Sequence, residues 1–168
     1  MKKILLITVG SLAIVGAIAY YTYHSMSKES VAIKETTSEN DGGKIIEIKE
    51  TNVEPIEEEF PTDMTEYAVQ NAIHGMSHQK VRADDKWGFI PLTTERVTRL
   101  KAVVEANEYE EEGLYLDILN RWSKNDFSQV DQDHNAIWDL QNGTIGKATG
   151  ILSADEEKAF IEMHFDIE

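Results

Sequence analysis

The sequence predicts an all-α domain behind an N-terminal membrane anchor. Three observations carry this expectation. An uncharged apolar run extends from Ile4 to Tyr21. Five later stretches repeat apolar residues at helical spacing, several behind a capping residue. Between them lies an acidic, apolar-poor stretch with the composition of a disordered tether. The expected organisation is an anchor over 1–23, a flexible tether over 24–61, and a compact bundle of about five short helices over 62–168.

The anchor rests on length and flanks. Roughly 18 residues at about 1.5 Å each span about 27 Å, close to the hydrocarbon core of a bilayer. Lys2 and Lys3 precede the run, and Tyr20, Tyr21 and Tyr23 close it. Basic residues on the N-terminal flank place that end in the cytoplasm and the C-terminal domain outside. The bilayer, met through residues 4–21, is the first expected partner. Ala17-Ile18-Ala19 also fits a signal peptidase site, and cleavage after Ala19 would give a secreted soluble factor.

The 168 residues carry a formal net charge of -15 and no cysteine. Disulfides, thiolate metal sites and lipoprotein anchoring through cysteine are excluded. An acidic surface repels nucleic acid. The expected partner is instead an envelope protein or small ligand.

In the tether, Gly42-Gly43 and Glu57-Glu58-Glu59 interrupt a run rich in Glu, Ser, Thr and Asn. Lys44–Lys49 (KIIEIK) stands apart, because Ile46 and Ile48 share one face of an extended segment. A short strand there and a segment merely lying on the domain are both consistent with it. A flexible tether of about 40 residues has a reach of roughly 35 Å.

The first helix starts at Thr62 or Asp63 and carries Met64, Tyr67, Ala68, Ile73 and Met76. Val81–Leu92 is an expected loop, turning at Trp87-Gly88. Thr93 or Thr94 caps the second helix, with Val97, Leu100, Val103 and Val104 on one face. The third carries Leu114, Tyr115, Ile118, Leu119 and Trp122. Ser128 with Asp131 resembles a capping box for the fourth, through Ile137, Trp138 and Leu140. Ser153 with Glu156 is a full capping box for the last, bearing Phe160, Ile161, His164 and Phe165.

Met76–Val81 (MSHQKV), Lys86-Trp87-Gly88, Asp133–Trp138 (DHNAIW) and Gly143–Gly150 (GTIGKATG) together resemble an uncharacterised domain family of spore-forming Gram-positive bacteria. The resemblance covers about residues 62–165. It implies a membrane-anchored protein of the Gram-positive envelope, and it implies no activity.

Chemistry concentrates at few positions. His74 and His78 are four apart on one helix, so both rings face one way. His134, with Asp131 three residues earlier, offers an imidazole and a carboxylate on another helix. Packed together, His74, His78, Asp131 and His134 would make a nitrogen and oxygen site for zinc, and hence a small metal-dependent enzyme or metal-binding domain. The zincin motif fails, since Gly75 stands where its glutamate belongs. The competing expectation is that His78 and His134 are hydrogen-bonded residues holding the Lys80–Pro91 loop.

Asp131–Asn142 mimics a calcium loop but lacks its glycine, at Ala136, and its terminal glutamate, at Asn142. The glycine loop fails the phosphate-loop pattern at Gln141 and Ala148. Its backbone amides at Gly143 and Gly146, beside Lys147, remain a candidate anion site. No G-x-S-x-G marks a nucleophile. The leading expectation is a tethered binding or structural module.

Overall fold

The computed structural model describes residues 30–37, 43–51 and 55–167. These form a mixed α/β domain, which corrects the all-α expectation. The expected anchor over 1–23 lies outside the described residues. No helix among the described residues is long and apolar enough to cross a membrane.

The domain begins inside the expected tether. Strands β1 (Ser30–Thr37) and β2 (Lys44–Thr51) pair antiparallel in register from Ser30 opposite Thr51 to Thr37 opposite Lys44. Alternation explains the pair. Val31, Ile46 and Ile48 are buried on one face, while Lys34 reaches Glu47 across the strands at 3.3 Å. The buried face packs on Ile161, with Ile33, Ala154 and Phe165 around it. A disordered tether is therefore corrected over these residues: the strands pair, and Val31, Ile46 and Ile48 share the covered face with Glu50, while Lys34 and Glu47 lie on the other.

Helix α1 (Ile56–Glu59) is one turn. Helix α2 (Glu66–Ser77) is capped by Thr65, whose side chain accepts from the Ala68 amide. Helix α3 (Thr94–Glu105) is capped by Thr93, accepting from Arg96. Helix α4 (Glu112–Trp122) and helix α5 (Val130–Leu140) have no side-chain cap. Ser128 instead turns its hydroxyl to Asp126, 2.7 Å away, so the expected Ser128–Asp131 box does not form. Helix α6 (Ala154–His164) has the full Ser153–Glu156 capping box.

Two short strands, β3 (Val81–Arg82) and β4 (Gly150–Ile151), pair antiparallel and join the ends of the two loops that matter below. The last strand, β5 (Asp166–Ile167), adds parallel to β1, so that sheet runs β2-β1-β5.

The main core lies among α2, α3, α4 and α5, around Ile73, Met76, Leu100, Val103, Tyr115, Ile118, Trp122 and Ile137. Trp138, expected in the core by its helical position, is half-buried. It lies across the glycine loop instead.

Two buried charge groups attach the hairpin to this core. Arg96, 1% exposed, pairs with Glu50 of β2 and, at 2.9 Å, with Glu59 of α1. Lys80 pairs with Glu157 of α6 at 2.7 Å and donates to the Ile46 carbonyl at 3.0 Å.

Candidate functional site: a histidine centre between two loops

The end of α2 carries four consecutive buried polar residues, Ser77, His78, Gln79 and Lys80. Buried polar groups need partners, and each of these finds one in a different element. Gln79 accepts from the Leu92 amide at 3.0 Å and donates to Glu157 at 2.8 Å. Lys80 takes Glu157 and Ile46 as above, and its ammonium lies 4.4 Å from the centre of the Phe127 ring. Burial pulls Lys80 down and Glu157 up, against their mutual attraction. Ser77 and His78 face the other way, into the histidines.

His74, His78 and His134 meet in one cluster. Ring centroids are 4.8 Å apart for His74 and His78, 4.5 Å for His74 and His134, and 5.3 Å for His78 and His134. Each ring offers one nitrogen within 4.8 Å of the others. Helix α2 supplies two through their four-residue spacing, and α5 supplies the third. His78 and His134 are buried and His74 is half-buried, so solvent meets the cluster at His74. Asp131, the fourth expected member, is not in the group. The carboxylate that does turn inward on α5 is Asp133, bound to Trp122 Nε1 at 3.0 Å and Arg121 at 2.6 Å.

Each ring has one nitrogen against an oxygen acceptor. His78 Nδ1 lies 2.7 Å from the Gly88 carbonyl and His134 Nε2 lies 3.1 Å from the Gly146 carbonyl. A carbonyl only accepts, so both nitrogens carry the proton. His74 Nδ1 lies 2.5 Å from Gln141 Oε1, and Gln141 fixes its own amide by donating to Asn71 at 2.8 Å. In the neutral rings the lone pairs then fall on Nε2 of His74, Nε2 of His78 and Nδ1 of His134. The Ser77 hydroxyl lies 2.9 Å from that last nitrogen and 2.6 Å from the His74 carbonyl. Its single proton serves one of them at a time.

The rings are held neutral. Burial lowers His78 to about 3, with repulsion from His74, His134 and Lys86 adding to it. Burial and the His74 charge lower His134 to about 4. His74 is lowered by burial too.

Both acceptor carbonyls belong to loops. Residues 83–93 carry Gly88, and Gly88 O is one residue from Trp87, which is 69% exposed. Residues 141–149 carry Gly146, one residue from Ile145, which is 55% exposed. The loops touch: a Cβ on Gly146, whose φ is +84°, would lie 2.5 Å from the Asp85 carbonyl. Asn135 pins the second loop further by exchanging two bonds with Ala148, at 2.8 and 3.0 Å. Trp138 Nε1 donates to the Ile145 carbonyl at 2.8 Å, and a Cβ on Gly143 would lie 2.3 Å from the Trp138 ring.

The candidate anion residues are thereby accounted for structurally. Gly143 admits the indole and Gly146 makes the turn. Lys147 lies 5.1 Å from the Trp138 ring centre and 3.9 Å from Asp139. Lys86 closes the first loop by donating to the carbonyls of His78 and Val81, at 2.9 and 2.7 Å. Beside it, Phe89 packs on His164 and Phe160.

The molecule is thus a small mixed α/β domain organised around a histidine centre that fixes two loops. The model of a family of unknown function (DUF6241) matches residues 73–162, and the chain belongs to that family. The matched span holds the three histidines and both loops, while the β1–β2 hairpin lies outside it. No curated protein and no solved structure matches the chain.

Proposed function

We propose that this chain is a single-pass, membrane-tethered binding module, held outside the cytoplasmic membrane of a spore-forming Gram-positive cell by residues 4–21. It recognises an envelope protein through the paired tips of the two loops. One observation carries the reading. Trp87 and Ile145 are large, apolar and exposed, and each adjoins a carbonyl fixed by a buried imidazole. Recognition residues belong on loops that a rigid scaffold positions, and a preorganised aromatic anchor loses little entropy on binding. The apolar run and its basic N-terminal flank support the tethered topology. Cleavage after Ala19 would leave the same face on a secreted protein, and the mass of the mature N-terminus separates the two.

The test uses a photo-crosslinking amino acid at one position at a time in the full chain, on intact cells. Positions 87 and 145 are compared with position 67, where Tyr67 is 65% exposed on α2. A discrete adduct from 87 and 145, missing from 67, is expected. Adducts that are absent or equal at all three positions contradict the reading.

A further inference from the structure

We propose that His74, His78 and His134 are the protein ligands of a divalent late transition metal of the zinc class, bound with a fourth position open on the His74 side. The inference goes beyond the binding face and does not depend on it.

The first support is the ligand set. Three imidazoles from two helices converge, with one nitrogen each inside 4.8 Å. Three protein ligands with one open position is a known zinc arrangement. A set of imidazole nitrogens without carboxylates favours zinc, copper, nickel or cobalt over magnesium and calcium.

The second support is the shell behind the ligands. A metal-bound histidine donates its other ring N–H to a carbonyl, a carboxylate or water, which sets the tautomer and aims the lone pair. All three rings have such an acceptor: Gln141 Oε1 for His74, Gly88 O for His78 and Gly146 O for His134. A role limited to holding loops accounts for the three outer bonds, since Gln141 opens the second loop. It does not call for one nitrogen of each ring to lie within 4.8 Å of the others.

One nitrogen of each ring lies within 4.8 Å of the others. A tetrahedral zinc at about 2.0–2.1 Å from each nitrogen brings the nitrogens to roughly 3.4 Å from one another. The rings must therefore close inward by about an ångström. The Ser77 hydroxyl stands against His134 Nδ1 and must leave that nitrogen. Its bond to the His74 carbonyl gives the proton a place to go.

The experiment uses the full chain, stripped with chelator and titrated with cobalt(II), then with zinc. The expected result is one cobalt per chain with the intense visible absorption of a four-coordinate ion, its loss on adding zinc, and a higher melting temperature in zinc. His74→Ala and His78→Ala abolish all three. Two further variants spare the ligands, for the case where a histidine variant does not fold. Gln141→Ala weakens binding by about tenfold or more, as loss of an outer acceptor does. Ser77→Ala tightens it by about tenfold, because a hydrogen bond that competes for the lone pair is gone. A wild-type chain whose spectrum and melt neither metal moves overturns the proposal. So does binding that persists unchanged in the His74→Ala chain, or weakens in Ser77→Ala.

Discussion

Lys80 and Glu157 show how much of this domain rests on polar residues turned inward. Both are about 5% exposed, and Gln79 shares the same carboxylate. Lys80→Met leaves Glu157 buried without its cation, so a loss of about 3–5 kcal/mol is expected. The double variant Lys80→Met/Glu157→Leu recovers most of it, and a denaturant double-mutant cycle measures the difference. Gly143→Ala drives a methyl into the Trp138 ring. It should lower stability by about 1–3 kcal/mol in a thermal melt, where a free surface loop would show no loss. At this scale the sequence is partly legible. The four-residue spacing of His74 and His78 announces a shared face. His134 joins them only through the packing of α2 on α5, which spacing cannot give. Asp131 looked as available as Asp133, because nothing in the sequence fixes the rotation of α5 about its axis. Gln79, Lys80, Arg96 and Glu157 were missed. The available signal was polar residues standing beside core positions, and only burial distinguishes those from a solvated face.

Secondary structure divides the same way. Helices α3 and α6 were legible from apolar spacing with Thr93 and Ser153 caps, and the Ser153–Glu156 box forms as expected; α2 was legible from spacing, but its cap is Thr65 and not the expected Thr62 or Asp63. The β1–β2 hairpin was not, apart from the shared face of Ile46 and Ile48. Its strands carry charges on both faces, Glu35 and Glu50 beside the isoleucines and Lys34 and Glu47 opposite, so their average composition equals that of a soluble tether. The two-residue strands β3 and β4 have no pattern of their own and exist because the loop ends meet. A boundary drawn at the first long helix thus cuts through structure. A fragment of residues 62–168 loses Glu50 and Glu59, both partners of buried Arg96, and the sheet face on Ile161. A fragment of residues 30–168 should melt cooperatively by circular dichroism. The 62–168 fragment should melt far lower or without cooperativity, and equal melts would show the hairpin to be dispensable.

At the scale of the molecule, the histidine centre couples folding to pH. His78 and His134 lie near 3 and 4 in the folded chain, below the ordinary histidine value of 6.5. The unfolded chain then binds more protons below that value. The histidine contribution to stability is full above about pH 7 and falls as pH drops through 6.5 toward 4. Glu156, held near 2 by Arg82 and its cap, adds to the loss only below the usual carboxylate range. Burial raises Asp133 and Glu157, so they take up protons in the folded chain above their ordinary range and oppose the histidine loss as pH falls toward it. The central claim is that three neutral imidazoles, each with a fixed tautomer, hold this centre together. Ring nitrogen NMR of the chelator-treated full chain, followed from pH 8 to 5, tests it most directly. The account predicts that His78 and His134 stay neutral throughout, His78 protonated on Nδ1 and His134 on Nε2, with His74 also on Nδ1 at neutral pH. Titration of His78 or His134 with an ordinary midpoint near 6.5, or His78 carrying its proton on Nε2, would contradict it.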